Sequence, residues 1–293
     1  MHRESSLGEL IFDIAIRLIL VFLVIVTLYP MYYVFCAAFS NSVDLLAYKS
    51  ILLRPLNFTT AAFRLAFTHP LIVSGFRNII FVLVVSLPLN MLLTLLCGYF
   101  MAAKNVFFKK PILAVIMLTM YFNGGMIPNY LNIRSLGLYN TLWALILPVA
   151  MSVFNAIICK TAIESVPESL SESAFIDGAN DVVILFRIIL PLIIPTTMVL
   201  ILYYGVGHWN AWFNAYIYLR DDLKLPIQNV LRGVLIANSN ILNAAATEND
   251  KTDEFAESIK YAAIVITTVP ILCVYPFLQK YFVKGVMIGA VKG

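Results

Sequence analysis

Residues 164–190 read ESVPESLSESAFIDGANDVVILFRIIL. They separate two long apolar stretches and set Glu164, Glu168, Glu172, Asp177 and Asp181 against the single cation Arg187. Pro167 suits the first turn of a short helix, because its missing N–H would be orphaned there in any case. Leu170 and Ala174 then share one face. Glu168 and Glu172 share another, and like charges one turn apart disfavour the helix in isolation, so a basic partner surface would relieve them. Asp177-Gly178 signals a turn, since glycine tolerates the positive φ that reverses the chain. A second short helix from about Ala179 is expected to bury Val182, Val183 and Phe186. Taken alone, the residues leave two readings open: a solvated acidic loop or a docking element.

The surrounding composition places this segment in a membrane protein. Of 293 residues, 61% are hydrophobic and 12% charged, with a mean hydropathy of +0.89; soluble domains carry about 25% charge. A spanning helix takes about 20 apolar residues, so six spans and their loops use the whole length as one all-α domain, residues 1–293. The net charge of +4 is spread along the chain without a basic cluster, which argues against nucleic acid as a partner. Cys36, Cys97, Cys159 and Cys273 sit singly in apolar runs and read as buried free thiols. The first apolar run extends to Phe39 without a small-residue cleavage site, so it is expected to stay as the first span.

The spans are expected at about 14–39, 75–103, 111–131, 140–162, 190–219 and 259–281, with the acidic segment as a loop between the fourth and fifth. Pro30 would kink the first. The third meets Asn123-Gly124-Gly125-Met126-Ile127-Pro128, a break tolerated at membrane depth only where protein or a cavity accepts the freed backbone groups. Tyr121, Asn123 and Gly124 are therefore candidate pathway residues. Segments 40–74, 129–139 and 220–258 are too polar to span, and Pro226 to Arg232 reads as a helix outside the membrane. Pro191 and Pro195 open the fifth span and leave two carbonyls free. Lysines and arginines divide evenly between the two sides of this topology. Only the short loop with Lys104, Lys109 and Lys110 speaks for the cytoplasmic side.

The fifth span carries YYGVGHWNAWFN, residues 203–214, an unusual density of aromatic and amide groups. Aromatic faces stack on the apolar faces of sugar rings and leave the hydroxyls for Asn or His, whereas in a plain packing role the same groups serve as interfacial anchors. Asn210 and Asn214 lie one turn apart on a helix, as do His208 and Trp212. With Tyr204 and Trp209 they complete the candidate pathway set. One continuous helix is expected to run from the acidic loop to this region. Arg64, Arg77 and Arg134 could favour an acidic sugar near the outer mouth or equally meet a binding protein or lipid headgroups. His2 and His69 offer no metal pairing, no phosphate-binding glycine loop occurs, and no nucleophile and base converge.

These motifs resemble the EAA-loop permeases of binding-protein-dependent ABC importers. Glu172-Ser173-Ala174, Asp177-Gly178-Ala179, Phe186 and Leu190-Pro191 with Pro195 stand at the family's spacing, with Ser173 replacing the usual middle alanine. Within the family the chain is similar to sugar permeases, on the Trp209-Asn210 pattern, the break at 124–128 and the tail 284–293. More narrowly it resembles the second permease of importers for complex oligosaccharides, including uronate-containing ones such as alginate. The resemblance implies the ABC importer permease fold and a bacterial inner-membrane location with both termini cytoplasmic. It also implies a second homologous permease, two ATPase subunits holding ATP and Mg, an external solute-binding protein, and no cofactor or metal in this chain. Glu168, Glu172, Ala174, Asp177, Gly178 and Ala179 would form the contact with the ATPase. The alternative is an ion-coupled secondary transporter acting alone, but the spans offer almost no acidic residue to carry a coupling ion.

Overall fold

The computed structural model describes residues 7–104, 106–244, 259–274 and 276. The described residues are helical, with no β-strand among them. They fall into two compact units, one within residues 1–69 and 231–268 and the other within 70–230 and 269–293.

In the first unit the helix Leu7–Ala38 continues through Pro30, and the 18-residue apolar window within it has no buried residue. A surface of this kind needs lipid or protein against it. Beyond it the chain folds back into a small cap. Leu52 is fully buried beside Cys36, Ala37 and Leu45, its N–H donates to the Tyr29 hydroxyl at 3.2 Å, and Phe39 stacks on Phe58 at 5.4 Å.

The second unit is organised on the helix Pro70–Ala102. Every fourth residue from Asn78 through Val82, Ser86, Asn90 and Thr94 to Gly98 is buried, a stripe of small or polar side chains in an otherwise apolar helix. Small residues let helices approach closely in a membrane. At Gly98 the helix Val153–Glu164 comes so near that an added Cβ would lie 2.8 Å from the Cys159 sulfur and 3.2 Å from the Lys160 nitrogen. The adjoining core holds Met91, Leu95, Ile163, Leu185, Ile193 and Leu200.

Two helices, Gly8–Ala38 and Pro70–Ala102, are long and apolar enough to cross a membrane, and the number rises to five if three bent pairs each count as a span. The bend at Gly125 falls at the break expected at 123–128, and the corner at Ile193 corrects the expectation of one continuous helix from the acidic loop to residues 203–214. Lys109–Tyr121 meets Met126–Ser135 at 113°, where Gly125 has a φ of +88° and the Asn123 side chain accepts its N–H at 2.9 Å. Leu142–Val149, a pair of 3₁₀ turns, meets Val153–Glu164 at 48°. Asp181–Leu192 meets Ile194–Asn210 at 89°, because Pro191 and Pro195 donate no backbone hydrogen bond and Pro195 restarts the helix in its first turn. Of the expected span 259–281 the helix Ile259–Val274 is described; the rest, with His2 and the tail 284–293, lies outside the described residues.

Gly98→Ala should lower stability. Overpacking costs about 1–3 kcal/mol, whereas the helix preference for alanine returns about 0.5–1 kcal/mol. Thermal melting of the purified chain should show the loss, and Cys159→Ala added to it should recover the part due to the sulfur.

Candidate coupling helix and pathway cavity

The acidic segment folds as the helix Glu168–Ile176, with Pro167 as its N-cap and Glu168 in the first turn, where the helix dipole favours a carboxylate. The expected repulsion between Glu168 and Glu172 is met from within the chain. Lys104 pairs with Glu168. That hydrogen bond first, then the Glu168 charge, and last the nearby Glu172 charge raise the Lys104 pKa above its ordinary value, against a small opposing effect of desolvation. Both partners are more than half exposed, so the pair adds little stability.

The end of this helix explains the Asp177-Gly178-Ala179 sequence. The Gly178 N–H donates to the Phe175 carbonyl at 3.0 Å and the Ala179 N–H to the Ala174 carbonyl at 2.9 Å, the paired bonds of a Schellman ending. Gly178 has a φ of +83°, which suits glycine, and no atom within 4 Å of a Cβ built there. Ala174 is buried in the core and Ala179 packs against it. Leu170, Phe175 and Ile176 are instead 43%, 71% and 84% exposed, so Leu170 and Ala174 do not share a buried face.

The next turns depart from the expected pattern. Val182 and Phe186 are exposed and Val183 half-buried, whereas Ile184, Leu185 and Ile189 are buried. Asn180 caps the helix by accepting the Val183 N–H at 2.9 Å, and the Tyr99 hydroxyl donates to Asp181 at 2.9 Å. Ile184–Ile189 is then a π turn, in which the Leu190 N–H reaches the Leu185 carbonyl. The wider turn brings residues five apart onto one side. Pro191 accounts for it, since a proline cannot donate to the carbonyl four residues back and its ring crowds that group.

The helix Ile194–Asn210 lines a cavity of about 500 Å³, together with Val153–Glu164 and the turn before it. Tyr204, His208 and Asn214 line it as expected, joined by Tyr203, Ser152 and Asn155. Trp209 is buried but does not line it, and its ring lies 6.3 Å from Phe76. Asn210 and Trp212 are exposed. The common face expected for Asn210 with Asn214, and for His208 with Trp212, does not form. The helix stops at Asn210, Ala211 is extended, and Phe213–Tyr218 starts anew. The Trp212 carbonyl at this stop accepts from Asn229 at 2.9 Å. Tyr121, Asn123 and Gly124 are exposed in the 113° bend and are not among the cavity's lining residues, and neither are Arg77 and Arg134.

Sequence reasoning passed over the groups that fix the cavity wall. Asn90 donates to the carbonyls of Val149 and Ala150 at 3.0 and 2.8 Å, and its oxygen meets His208 Nε2 at 2.9 Å. The Tyr204 hydroxyl lies 2.7 Å from Thr94 Oγ1 and accepts the Ser152 N–H at 2.9 Å. The four-residue spacing of Ser86, Asn90 and Thr94 inside an apolar run was the available signal, because a polar stripe on a spanning helix needs polar partners. Hydroxyl, amide, imidazole and aromatic groups share the lining with aliphatic Ile79, Val82, Leu145 and Met151, a mixture that suits a solute with both hydroxyls and apolar faces. Among the described residues no group of three or more His, Cys, Asp or Glu could hold a metal.

An apolar chain whose described elements are all helices, with an exposed acidic helix turned by prolines into the wall of a cavity of mixed polar and apolar lining, is the architecture of a solute-transporting membrane subunit. The chain belongs to the family of binding-protein-dependent transport system inner membrane components, whose model matches residues 18–288. It is 38% identical over 283 residues to the polygalacturonan/rhamnogalacturonan transport system permease protein YtcP of Bacillus subtilis (strain 168), covering 97% of this chain and 99% of that one. It is 39% identical to the protein LplC of the same organism, over 100% of this chain and 98% of that one. A chain in the crystal structure of a bacterial ABC transporter involved in the import of the acidic polysaccharide alginate is 28% identical. The two superpose over 96% of this chain and 100% of that one, with a TM-score of 0.86.

Gly178→Val should unwind the last turn of Glu168–Ile176, at a cost of about 1–3 kcal/mol for the left-handed backbone, while Gly178→Asn should hold it. Hydrogen exchange over residues 168–179 should quicken in the first variant and stay near the parent rate in the second.

Proposed function

We propose that the chain is one of two permease subunits of an ATP-driven importer of acidic, uronate-containing oligosaccharides. One observation carries the reading: the exposed Glu168–Ile176 helix and the cavity-lining Ile194–Asn210 helix lie on one short stretch of chain, joined at the bend. In this reading the chain has six spans with both termini in the cytoplasm. Two ATPase subunits, which bind ATP and Mg, dock on the Glu168–Ile176 helices of the two permeases. Glu168, Glu172 and Asp177, with the exposed Phe175 and Ile176, meet the ATPase. Ala174, Gly178 and Ala179 hold the helix end in shape. An external solute-binding protein delivers the sugar, and closure on ATP switches the pathway between inward- and outward-open forms.

The substrate class is supported by the full-length likeness to a polygalacturonan/rhamnogalacturonan permease and to the alginate importer chain, since galacturonans and alginate are both uronate polymers. The cavity lining offers ring faces in Tyr203 and Tyr204 and an amide in Asn214, while the Tyr204 hydroxyl and His208 Nε2 are already bonded to Ser152 and Asn90. No lysine or arginine is among its lining residues, so the carboxylates of an acidic sugar would be met by the partner permease or the binding protein. Tyr121, Asn123 and Gly124, in their exposed bend, are available to the partner permease. Asn210 and Trp212 are available in the same way.

Glu172→Lys should leave membrane insertion intact and abolish copurification of the ATPase and uptake. Unchanged uptake in that variant would refute the coupling role. In a competition assay, uronate oligosaccharides should displace labelled substrate; displacement by neutral sugars alone would overturn the acidic assignment and leave the importer reading standing.

A further inference from the structure

The loop that follows Pro70–Ala102 has a shape the transport reading does not use. It joins two apolar helices, Pro70–Ala102 and Lys109–Tyr121, which in the six-span reading proposed above sets it at the edge of the hydrocarbon layer. Lys104, Lys109 and Lys110 surround a concavity of about 600 Å³ whose other walls are Phe107, Phe108 and Leu113. Its lining combines three lysine side chains with rings and aliphatic carbons.

The two rings are presented outward. Phe107 is 86% and Phe108 66% exposed, and they meet edge to face at 4.5 Å. Phe108 has a φ of +57°, a left-handed backbone that a bulky residue rarely adopts, and its side chain does not cap the helix it precedes. The exposed pair is thus held by the loop's path and by neither burial nor capping. The lysines are already differentiated. Lys109 donates to the Ala103 carbonyl, Lys104 holds Glu168, and Lys110 is exposed with no ion-pair partner among the described residues.

We propose that this concavity binds an anionic phospholipid, its headgroup phosphate between Lys110 and Lys104 and the start of its acyl chain along Phe107, Phe108 and Leu113. Charge selects the headgroup, since a lysine near the membrane surface attracts anionic lipid, and the rings anchor at the depth where aromatic side chains settle. Lys104 is shared between the headgroup and Glu168, so the bound lipid sits beside the Glu168–Ile176 helix. The inference rests on the two flanking apolar helices and not on the sugar assignment.

The test is native mass spectrometry of the whole transporter, purified in detergent and titrated with phosphatidylglycerol or with phosphatidylcholine of the same chains. The parent should retain phosphatidylglycerol in preference to phosphatidylcholine. Lys110→Gln should reduce that retention about fivefold, the loss expected for one lysine at a membrane surface. Phe107→Ser should reduce retention of both lipids. Equal retention of the two lipids by the parent, or a Lys110→Gln protein that keeps its preference, would overturn the proposal. So would displacement of the lipid by soluble glycerol phosphate at equal concentration, which would make the site one for free phosphate. Sugar uptake by a parent transporter without the lipid preference would show that this inference alone had failed.

Discussion

A backbone polar group inside a membrane has no water to turn to, and the second unit is built around that constraint. Its answer is the Asn90 side chain. The amide is fully buried, spends both donor hydrogens on the carbonyls of Val149 and Ala150, and turns its oxygen to His208. The 3₁₀ turns at Leu142–Val149 would otherwise leave carbonyls bare at their end. Tyr204 does the complementary task one turn further along Pro70–Ala102, where it accepts the Ser152 N–H while touching Thr94. The irregular chain that gives the cavity its wall is therefore held by side chains from two regular helices. The same device recurs near the other end of the long helix, where Asn78 donates to the carbonyls of Leu223 and Leu225 at 2.8 and 3.1 Å.

This explains what could and could not be read from the sequence. Apolar run length marks where helices occur, and glycine and proline mark where they bend, because both signals are local. The Gly124-Gly125 break was legible for that reason, whereas Pro191 and Pro195 were read as freeing carbonyls within one continuous helix and the corner between them was missed. Bend angles were not legible, since they depend on what the freed groups find. A span drawn as one helix over 190–219 is in fact three pieces. Val182, Val183 and Phe186 were expected to be buried, whereas the buried side chains are Ile184, Leu185 and Ile189, which lie in the π turn ahead of Pro191. Within the site, Tyr204 and His208 were legible as polar groups in an apolar run, and Asn90 and Thr94 carried the same signal on a helix read only for its length.

The acidic helix shows how one sequence motif can serve two ends. Gly178 and Ala179 are demanded by the Schellman ending, and Ala174 by the core beneath it, so half of the motif is structural. What remains on the outside is a carboxylate face with two exposed apolar side chains, Phe175 and Ile176. Exposed apolar carbon rimmed by carboxylates suits the contact proposed for this helix.

The right-angled corner at Ile193 has a mechanical meaning. Two helices joined at 89° form an elbow, so a displacement along the axis of Asp181–Leu192 lies across the axis of Ile194–Asn210. A displacement of the first arm along its length would carry the cavity-lining arm sideways, whereas in a straight helix it would drive that arm along its own length, and polar groups moved that way would cross hydrocarbon.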